Sequence, residues 1–305
     1  MTVTVYRSSD TSAPGAFNNT AGSLIAILDA CLVNGYGSQL AAGWTKAFSG
    51  ANKAAYRNST VAPSTGFYLR IDDTSTTESR AVGYESMADV DTGTDAFPTN
   101  TQIAGGMYLP KSATTTTWMV IADNRCFYFF YKYAGNAKWQ GFFFGDIVSR
   151  LASDPYGCAI IGRGNTGTST NDENLPRASN TLSQVSQGHY IARNYNGTVK
   201  SVNFGKYAPL TSTYLGTSGF AYPNPCDSNF LMDRCSIIDD TSGASFYDLR
   251  GHMPGMWNPM HNDPAADGDT FSGKDDLSGR SYLIIANVNT SSVGKTVMET
   301  TDTWR

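Results

Sequence analysis

The sequence has 305 residues and a formal net charge of −4 at pH 7, enough chain for one large β domain or two smaller ones. Charged residues make up only 16%, against roughly 25% in typical soluble domains, and the lack of a basic run excludes the electrostatic footprint of a nucleic-acid-binding protein. No apolar run approaches the roughly 20 residues of a membrane-spanning helix.

The first residues, MTVTVYRSSD, lack the apolar core of a secretory signal, so we expect a protein that stays in, or is assembled in, the cytoplasm where it is made. Five cysteines without a CxxC pair indicate free thiols in that compartment. A bridge between Cys226 and Cys235 across a loop is the alternative.

The segment TVTVY alternates in polarity and predicts an opening strand. After it, the sequence predicts one helix, over about residues 23–34. Ser23 is the expected N-cap and Asn34-Gly35 the expected end. The helix has a single apolar stripe, formed by Leu24, Ile27, Leu28 and Cys31.

Beyond the helix, the apolar pattern changes to a period of two, which is typical of strands. Hairpins are predicted in GWTKAFSGANKAAYR, in GFYLRIDD with SRAVGYESM, and in TTWMVIADNRCFYFFYKY, where Asp123-Asn124 tolerate left-handed backbone. KWQGFFFGDI adds a strand, and five further strands follow residue 188. The fold class predicted is all-β, antiparallel and sandwich-like or barrel-like, with one N-terminal helix and few others.

Residues 163–188 are almost devoid of apolar groups and predict a long exposed loop. This loop suggests two β-rich modules, residues 1–155 with the helix and residues 156–305 with the loop. A single continuous domain is the alternative.

Two glycine motifs suggest nucleotide binding, but neither has its structural context. GRGNTG, at 162–167, is followed by no helical pattern, although a helix N-terminus must hold the pyrophosphate. GKT, at 294–296, lacks the first glycine of a phosphate-binding loop. Both stretches are expected to be turns.

The stretch VDTGTD, at 90–95, resembles the Asp-Thr-Gly loop of aspartic proteases, and AIIGRGN, at 159–165, resembles a later segment of the retroviral-type enzymes. Two such loops must share a proton between their carboxylates. There is no second Asp-Thr-Gly, so Asp91 would act only in a dimer, and a turn between strands is the favoured interpretation.

The stretch DLRGHMPGMWNPMHNDPAADGDTFSG, at 248–273, holds His252 and His261, followed by three carboxylates: Asp263, Asp267 and Asp269. A metal site is one interpretation. Two prolines and a glycine instead favour an irregular, ordered, non-catalytic apolar arch over 251–263, with Trp257 buried in its own chain or against a neighbour. The candidate subunit-contact residues are Met253, Met256, Trp257 and Met260. We predict no catalytic, cofactor-binding or metal-binding residue.

Five segments together resemble virion structural proteins of tailed bacteriophages: GSLIAILDACLVNGYGSQLAAGWTKAFSGANKAAYRN, WMVIADNRCFYFF, GFFFGDI, LRGHMPGMWNPMH and ETTDTW. The resemblance extends from near residue 20 to the C-terminal residues. It implies a place in the phage particle, and it carries no catalytic residues.

The expected function is therefore a non-enzymatic virion component of the tail, baseplate or collar. It would be assembled in the host cytoplasm and would contact other virion proteins and further copies of itself through symmetric interfaces. The alternative is a receptor-binding or carbohydrate-binding protein, whose partner is a host surface glycan, or a head-decoration protein. An aspartic protease is the remote alternative. No cofactor, nucleic acid or membrane span is expected.

Overall fold

The computed structural model of the chain describes residues 3–114, 117–135, 139–164, 187–204, 206–208, 221–226, 228–239, 248–261, 265–286, 295–302 and 304–305. Within these residues the chain is mostly antiparallel β with one α-helix near the N-terminus, so the fold-class prediction is confirmed. No helix in these ranges is long and apolar enough to cross a membrane.

The described strands form two sheets. The first sheet contains β1 (Thr4–Arg7), β2 (Thr45–Gly50), β3 (Lys53–Arg57), β4 (Tyr68–Asp72), β5 (Glu78–Met87), β6 (Gly93–Phe97), β7 (Met107–Pro110), β8 (Trp118–Ala122), β9 (Cys126–Lys132), β10 (Trp139–Asp146), β12 (Cys158–Arg163), β13 (Gln187–Arg193) and β14 (Lys200–Asn203). The second contains β11 (Val148–Ser149), β15 (Lys206–Ala208), β16 (Met232–Asp239), β17 (Asp248–Pro259), β18 (Thr270–Ser272), β19 (Ser281–Ile285) and β20 (Thr296–Glu299).

The first sheet curls around the helix. Its strand order is β1-β8-β9-β10-β12-β7-β5-β4-β3-β2, with β6 beside β5, and with β13 between β12 and β14. One buried cluster joins residues from both halves of this order, such as Leu69 and Phe144, with Leu24 and Ile27 of the helix. The apolar stripe predicted for the helix therefore fills the inside of the curl.

The helix differs from its prediction in its N-terminal cap and in the geometry of its second half. α1 spans Ser23–Leu28 and continues as a π-helical segment, Asp29–Asn34, to Gly35 at φ 74°, so its extent is as predicted. Ser23 is not the cap, because its hydroxyl donates to the carbonyl of Asn18. The backbone N–H groups of Leu24 and Ile25 instead donate to the Asp73 carboxylate, which satisfies two of the donors that a helix start leaves unpaired.

Strand β9 lies at the centre of the molecule and is covered on both faces. Phe127, Phe129 and Tyr131 pack into the core inside the curl. Cys126, Tyr128 and Phe130 pack into a second core between the two sheets. Successive side chains of a strand point to opposite faces, so burial on both faces explains the uninterrupted apolar run CFYFFY.

The second sheet packs on the outer face of β8, β9 and β10. Met253, Met256 and Leu283 of this sheet share one buried cluster with Tyr128 and Phe143 of the first. Contacts with polar atoms add to this packing: the Tyr128 hydroxyl donates to the Pro254 carbonyl at 2.7 Å. The order of this sheet is β15-β16-β17-β20-β19-β18, with β11 beside β17.

The expected module boundary at residue 155 does not coincide with the division into sheets. β12, β13 and β14 follow residue 155 and belong to the first sheet, whereas β11 precedes it and belongs to the second. The division into modules 1–155 and 156–305, with a single domain as its alternative, remains a prediction about folding units.

The three hairpins form as predicted: β2–β3, β4–β5 and β8–β9. At the β8–β9 turn, however, Asp123 and Asn124 are not in the left-handed region. The Asp123 side chain instead accepts the N–H groups of Arg125 and Cys126, the arrangement by which aspartate closes turns without positive φ.

The predicted loop 163–188 joins two paired strands, since Arg163 of β12 faces Gln187 of β13. Most of it, residues 165–186, lies outside the described residues. All five cysteines are free thiols as predicted, and the Cys226–Cys235 bridge is not formed.

Candidate ligand-binding cleft

An open cleft of about 1250 Å³ lies at one end of the second sheet. Its walls come from the start of β16, from β18, and from the 3₁₀ turn Asp275–Leu277. The polar segment GKDDLSG between β18 and β19 has few apolar residues to bury, so it stays outside the core and forms a rim.

Aromatic rings form one side of the cleft. The rings of Phe230 and Phe271 lie 5.1 Å apart, and Phe271 stacks on Tyr282 at the same centroid distance. Trp257 meets Tyr282 edge to face at 6.1 Å. Tyr282 is fully buried, whereas Phe230 and Phe271 are half-buried and line the cleft. The buried rings hold the accessible rings in place.

Polar and charged groups surround these rings. The Asn229 amide donates to the Asp275 carboxylate at 2.8 Å, and Arg280 pairs with the buried Glu299 at 3.2 Å. The guanidinium of Arg234 lies over the Trp257 ring, 4.8 Å from its centroid. The charged lining groups are nearly balanced: Arg234, Lys274 and Arg280 against Asp233, Asp269, Asp275 and Asp276.

The four predicted contact residues lie on a strand and its end, not on an irregular loop. β17 spans Asp248–Pro259, and that part of the interpretation was wrong. The pairing with β16 skips from Arg234–Trp257 to Ser236–His252, so Cys235 alone faces residues 253–256. This large bulge accommodates Pro254 and Gly255, which a regular ladder would not.

Burial limits what these four residues offer to another subunit. Met253 and Met256 are 1% exposed and lie between the sheets, and Trp257 is 7% exposed beneath the cleft. Trp257 is thus buried in its own chain, one of the two arrangements expected. Met260 alone of the four is half-buried. A subunit contact through this stretch stays a prediction. The three buried side chains would add little area to such a contact.

The two histidines of this stretch have separate environments. The His252 ring contacts the Arg234 guanidinium, and burial, together with that cation, lowers its pKa to about 4. His261 is buried, and its Nε2 accepts the backbone N–H of Leu231 at 2.7 Å. A ring nitrogen that accepts a hydrogen bond cannot give the same lone pair to a metal.

The nearby carboxylates also have separate partners. Asp267 accepts the indole N–H of Trp139 at 2.8 Å and pairs with Lys132, which ties the loop before β18 to the first sheet. Asp269 accepts the N–H of Ala266 at 2.7 Å, and Asp263 lies outside the described residues. In the described ranges, no three His, Cys, Asp or Glu side chains are grouped to hold a metal ion.

Asp91, the remaining candidate acid, lies at the exposed β5–β6 turn. Its carboxylate pairs with Lys53 at 2.9 Å and with Arg70 at 2.6 Å, and these hydrogen bonds lower its pKa.

The two glycine motifs are described only in part. GRGNTG begins within β12, and its residues 165–167 lie outside the described residues. In GKT, Gly294 also lies outside them.

Sequence reasoning missed the cleft residues Phe230, Phe271, Asp275 and Arg280. One signal was present: the segment DTFSGKDDLSGR places a single aromatic residue among polar ones. An isolated aromatic residue in a polar segment has few apolar neighbours to pack against, and such residues often belong to contact surfaces. The sequence does not show that Phe230 reaches the same place from a segment 41 positions earlier.

Compared with models of known protein families and with curated protein sequences, this chain has no match.

Proposed function

We propose that the chain is a non-enzymatic structural component of a bacteriophage virion, in the tail, baseplate or collar. The proposal rests on the resemblance of five sequence segments to virion structural proteins of tailed bacteriophages. They comprise the helix with β2–β3, the β8–β9 hairpin, β10, β17 and the stretch Glu299–Trp304. These are framework elements, so the similarity concerns the body of the fold and not one exchangeable loop.

The last residues of the chain support a framework role, because they fasten the two sheets together. Trp304 is 3% exposed and meets Tyr128 edge to face at 5.9 Å. The Arg305 guanidinium pairs with Asp123 and donates to the Asp146 carbonyl at 2.9 Å. A body fixed at several points suits a part that must keep its shape among neighbours in a particle.

Contacts with other copies or other virion proteins need exposed apolar area. Leu40 is 81% exposed and Val61 75% exposed, and Tyr195 and Val199 are about half exposed on the β13–β14 turn. Apolar and aromatic side chains of this kind are enriched at interface cores. We propose that they, with Met260, contribute to contacts that recur by symmetry in the particle.

Mass spectrometry of particles purified from the phage that encodes the chain tests the proposal. We expect the chain in a fixed ratio to the other structural proteins through a density gradient and a second, size-based separation. A chain that is lost from the particles at either step, or never found in them, contradicts the proposal.

The protease alternative has its own test. We expect the purified protein to leave unfolded peptide substrates intact at acidic pH, since Asp91 is held by two cations in an exposed turn. Cleavage by the wild type that is lost in Asp91→Asn would overturn the non-enzymatic assignment.

A further inference from the structure

We propose that the cleft between β16, β18 and the 3₁₀ turn Asp275–Leu277 binds a neutral oligosaccharide. The inference goes beyond the structural role and does not depend on it. Either proposal can hold without the other. A structural component of a virion need not bind a ligand, and a protein that binds a saccharide need not be part of a virion.

The first argument is the pair of accessible rings. Phe230 and Phe271 are half-buried, line the cleft, and lie 5.1 Å apart at an interplanar angle of 58°. Tyr222, 47% exposed, meets Phe230 edge to face at 5.9 Å and also lines the cleft. Faces of aromatic rings suit the apolar C–H faces of pyranose rings, and several rings at different angles suit more than one sugar.

The second argument is the set of polar groups within the same cleft. A sugar presents hydroxyl groups that both donate and accept, so its site needs both kinds of partner. Carboxylates of Asp269, Asp275 and Asp276 are acceptors, and the Arg280 guanidinium, half-buried and oriented by Glu299, is a donor. Charged groups of this kind form stronger hydrogen bonds than neutral ones.

The third argument is charge, which selects among polymers. Three cations and four carboxylates line the cleft, and Glu299 lies directly behind Arg280. An anionic polymer such as a nucleic acid or a sulfated glycan requires a clear excess of cations. Near balance with a slight negative excess therefore favours a neutral chain.

The fourth argument is size and shape. The cleft, at about 1250 Å³, exceeds the roughly 300–1,000 Å³ of common small-molecule pockets and is open to solvent. An open cleft cannot enclose a single small metabolite on all sides. It can hold several linked rings of an extended ligand, which also enter and leave without opening the fold.

The test measures binding of soluble β-glucan, chitin, mannan and galactan oligosaccharides to the full chain by titration calorimetry, with a heparin fragment as the anionic comparison. We expect at least one neutral oligosaccharide to bind. Phe271→Leu, which keeps an apolar side chain over Tyr282 but removes the ring, should weaken binding about tenfold. Asp276→Asn changes an exposed carboxylate for which the structure shows no hydrogen bond or ion pair with another described residue, so it tests the polar side of the cleft with little effect on the fold.

Phe48→Leu is the matched control, because Phe48 is also a half-buried ring that stacks on a tyrosine, Tyr68, but it lies in the first sheet and does not line the cleft. Binding that is lost in Phe271→Leu and kept in Phe48→Leu supports the proposal. Binding to none of the neutral oligosaccharides, to the heparin fragment alone, or with equal affinity in wild type and Phe271→Leu overturns it. Far-ultraviolet circular dichroism of each variant ensures that a loss of binding is not a loss of fold.

Discussion

Asp73 accepts the backbone N–H of Leu24 at 2.8 Å, although the two residues are 49 positions apart in the chain. The same carboxylate accepts the Ile25 N–H and the Ser79 hydroxyl, and it pairs with the ammonium group of Lys111. Neither side chain of this ion pair has exposed surface. One buried acid therefore fixes the helix, β5 and the segment after β7 relative to each other.

Replacing Asp73 by Ala should lower the free energy of unfolding by about 3–5 kcal/mol, because it leaves a buried cation without its partner. Asp91→Ala is the matched control: it also removes a doubly paired aspartate, but one that is 53% exposed, and it should cost much less, because solvent screens an exposed ion pair. Urea unfolding of both variants measures the difference. Equal losses would mean that the burial of the Asp73 pair has no energetic consequence.

The pKa of His252 predicts how stability depends on pH. Burial, with Arg234, Arg150 and Arg305 nearby, lowers it to about 4 in the folded chain, against about 6.5 when unfolded. Between these values only the unfolded chain takes up the proton, so stability falls as pH decreases from about 6.5 to 4. Below pH 4 the loss from this residue is complete.

We therefore expect His252→Gln, which stays neutral, to flatten the dependence of unfolding free energy on pH between about 6.5 and 4. His189, whose pKa burial also lowers, accounts for part of the slope that remains. Urea unfolding at several pH values measures both slopes. An unchanged slope in His252→Gln would show that this histidine is not the group protected from protonation.

Trp257 should contribute to folding mainly through its burial. Its indole N–H donates to Glu299 at 3.3 Å, and its ring packs between Arg234 and Tyr282. Trp257→Ala should cost on the order of 3–5 kcal/mol, whereas Met260→Ala, at a half-buried position, should cost clearly less. Thermal unfolding of the two variants compares them, and similar melting temperatures would contradict the expectation.

Gly255 and Gly268 allow a test of the contact between the β17 bulge and the C-terminal residues. Both have positive φ, at 63° and 89°, but a Cβ at Gly255 would overlap the Trp304 ring, whereas one at Gly268 would meet no atom within 4 Å. Alanine at Gly268 should cost about 1–2 kcal/mol from backbone strain. Alanine at Gly255 should cost about 1–3 kcal/mol more from overpacking. If urea unfolding gives the same loss for both, Trp304 is not held against the bulge.

The shared core between the sheets predicts one unfolding transition and not two. Residues of both sheets, such as Phe143 and Leu283, belong to one buried cluster, and Arg250 of β17 pairs with the buried Asp154 that follows β11. Calorimetry and tryptophan fluorescence should give the same midpoint. Two separated transitions would instead support independent modules at 1–155 and 156–305.

The sequence was sufficient to predict those strands and the helix whose signals lie within a few consecutive residues. The period-two alternation placed β2 to β5 and the β8–β9 hairpin, and the stripe from Leu24 to Cys31 placed the helix, because these signals are read within a few residues. The Asp73 cap could not be read this way, since its partner lies 49 positions earlier.

The prolines and the glycine of β17 predict an irregular loop, but they lie in a bulge, opposite Cys235, of a segment that is otherwise paired as a strand. Tertiary pairing on both flanks, with β16 and β20, holds the segment as a strand. The cleft could not be predicted from the sequence either, because only the order of strands in the second sheet brings Phe230 and Phe271 together.

Strand β9 is covered on both faces in the folded chain, but its side chains are exposed before folding is complete. The run CFYFFYK then carries six consecutive apolar residues of high β propensity and a single charge, the composition of segments that associate between chains. Its partners β8 and β10 flank it closely in sequence, but the strands of the second sheet that cover its outer face, β16, β17, β19 and β20, come at least 100 positions later. Refolding of this protein is therefore expected to compete with self-association, with yields that fall as concentration rises, and slow synthesis at low temperature should favour soluble product.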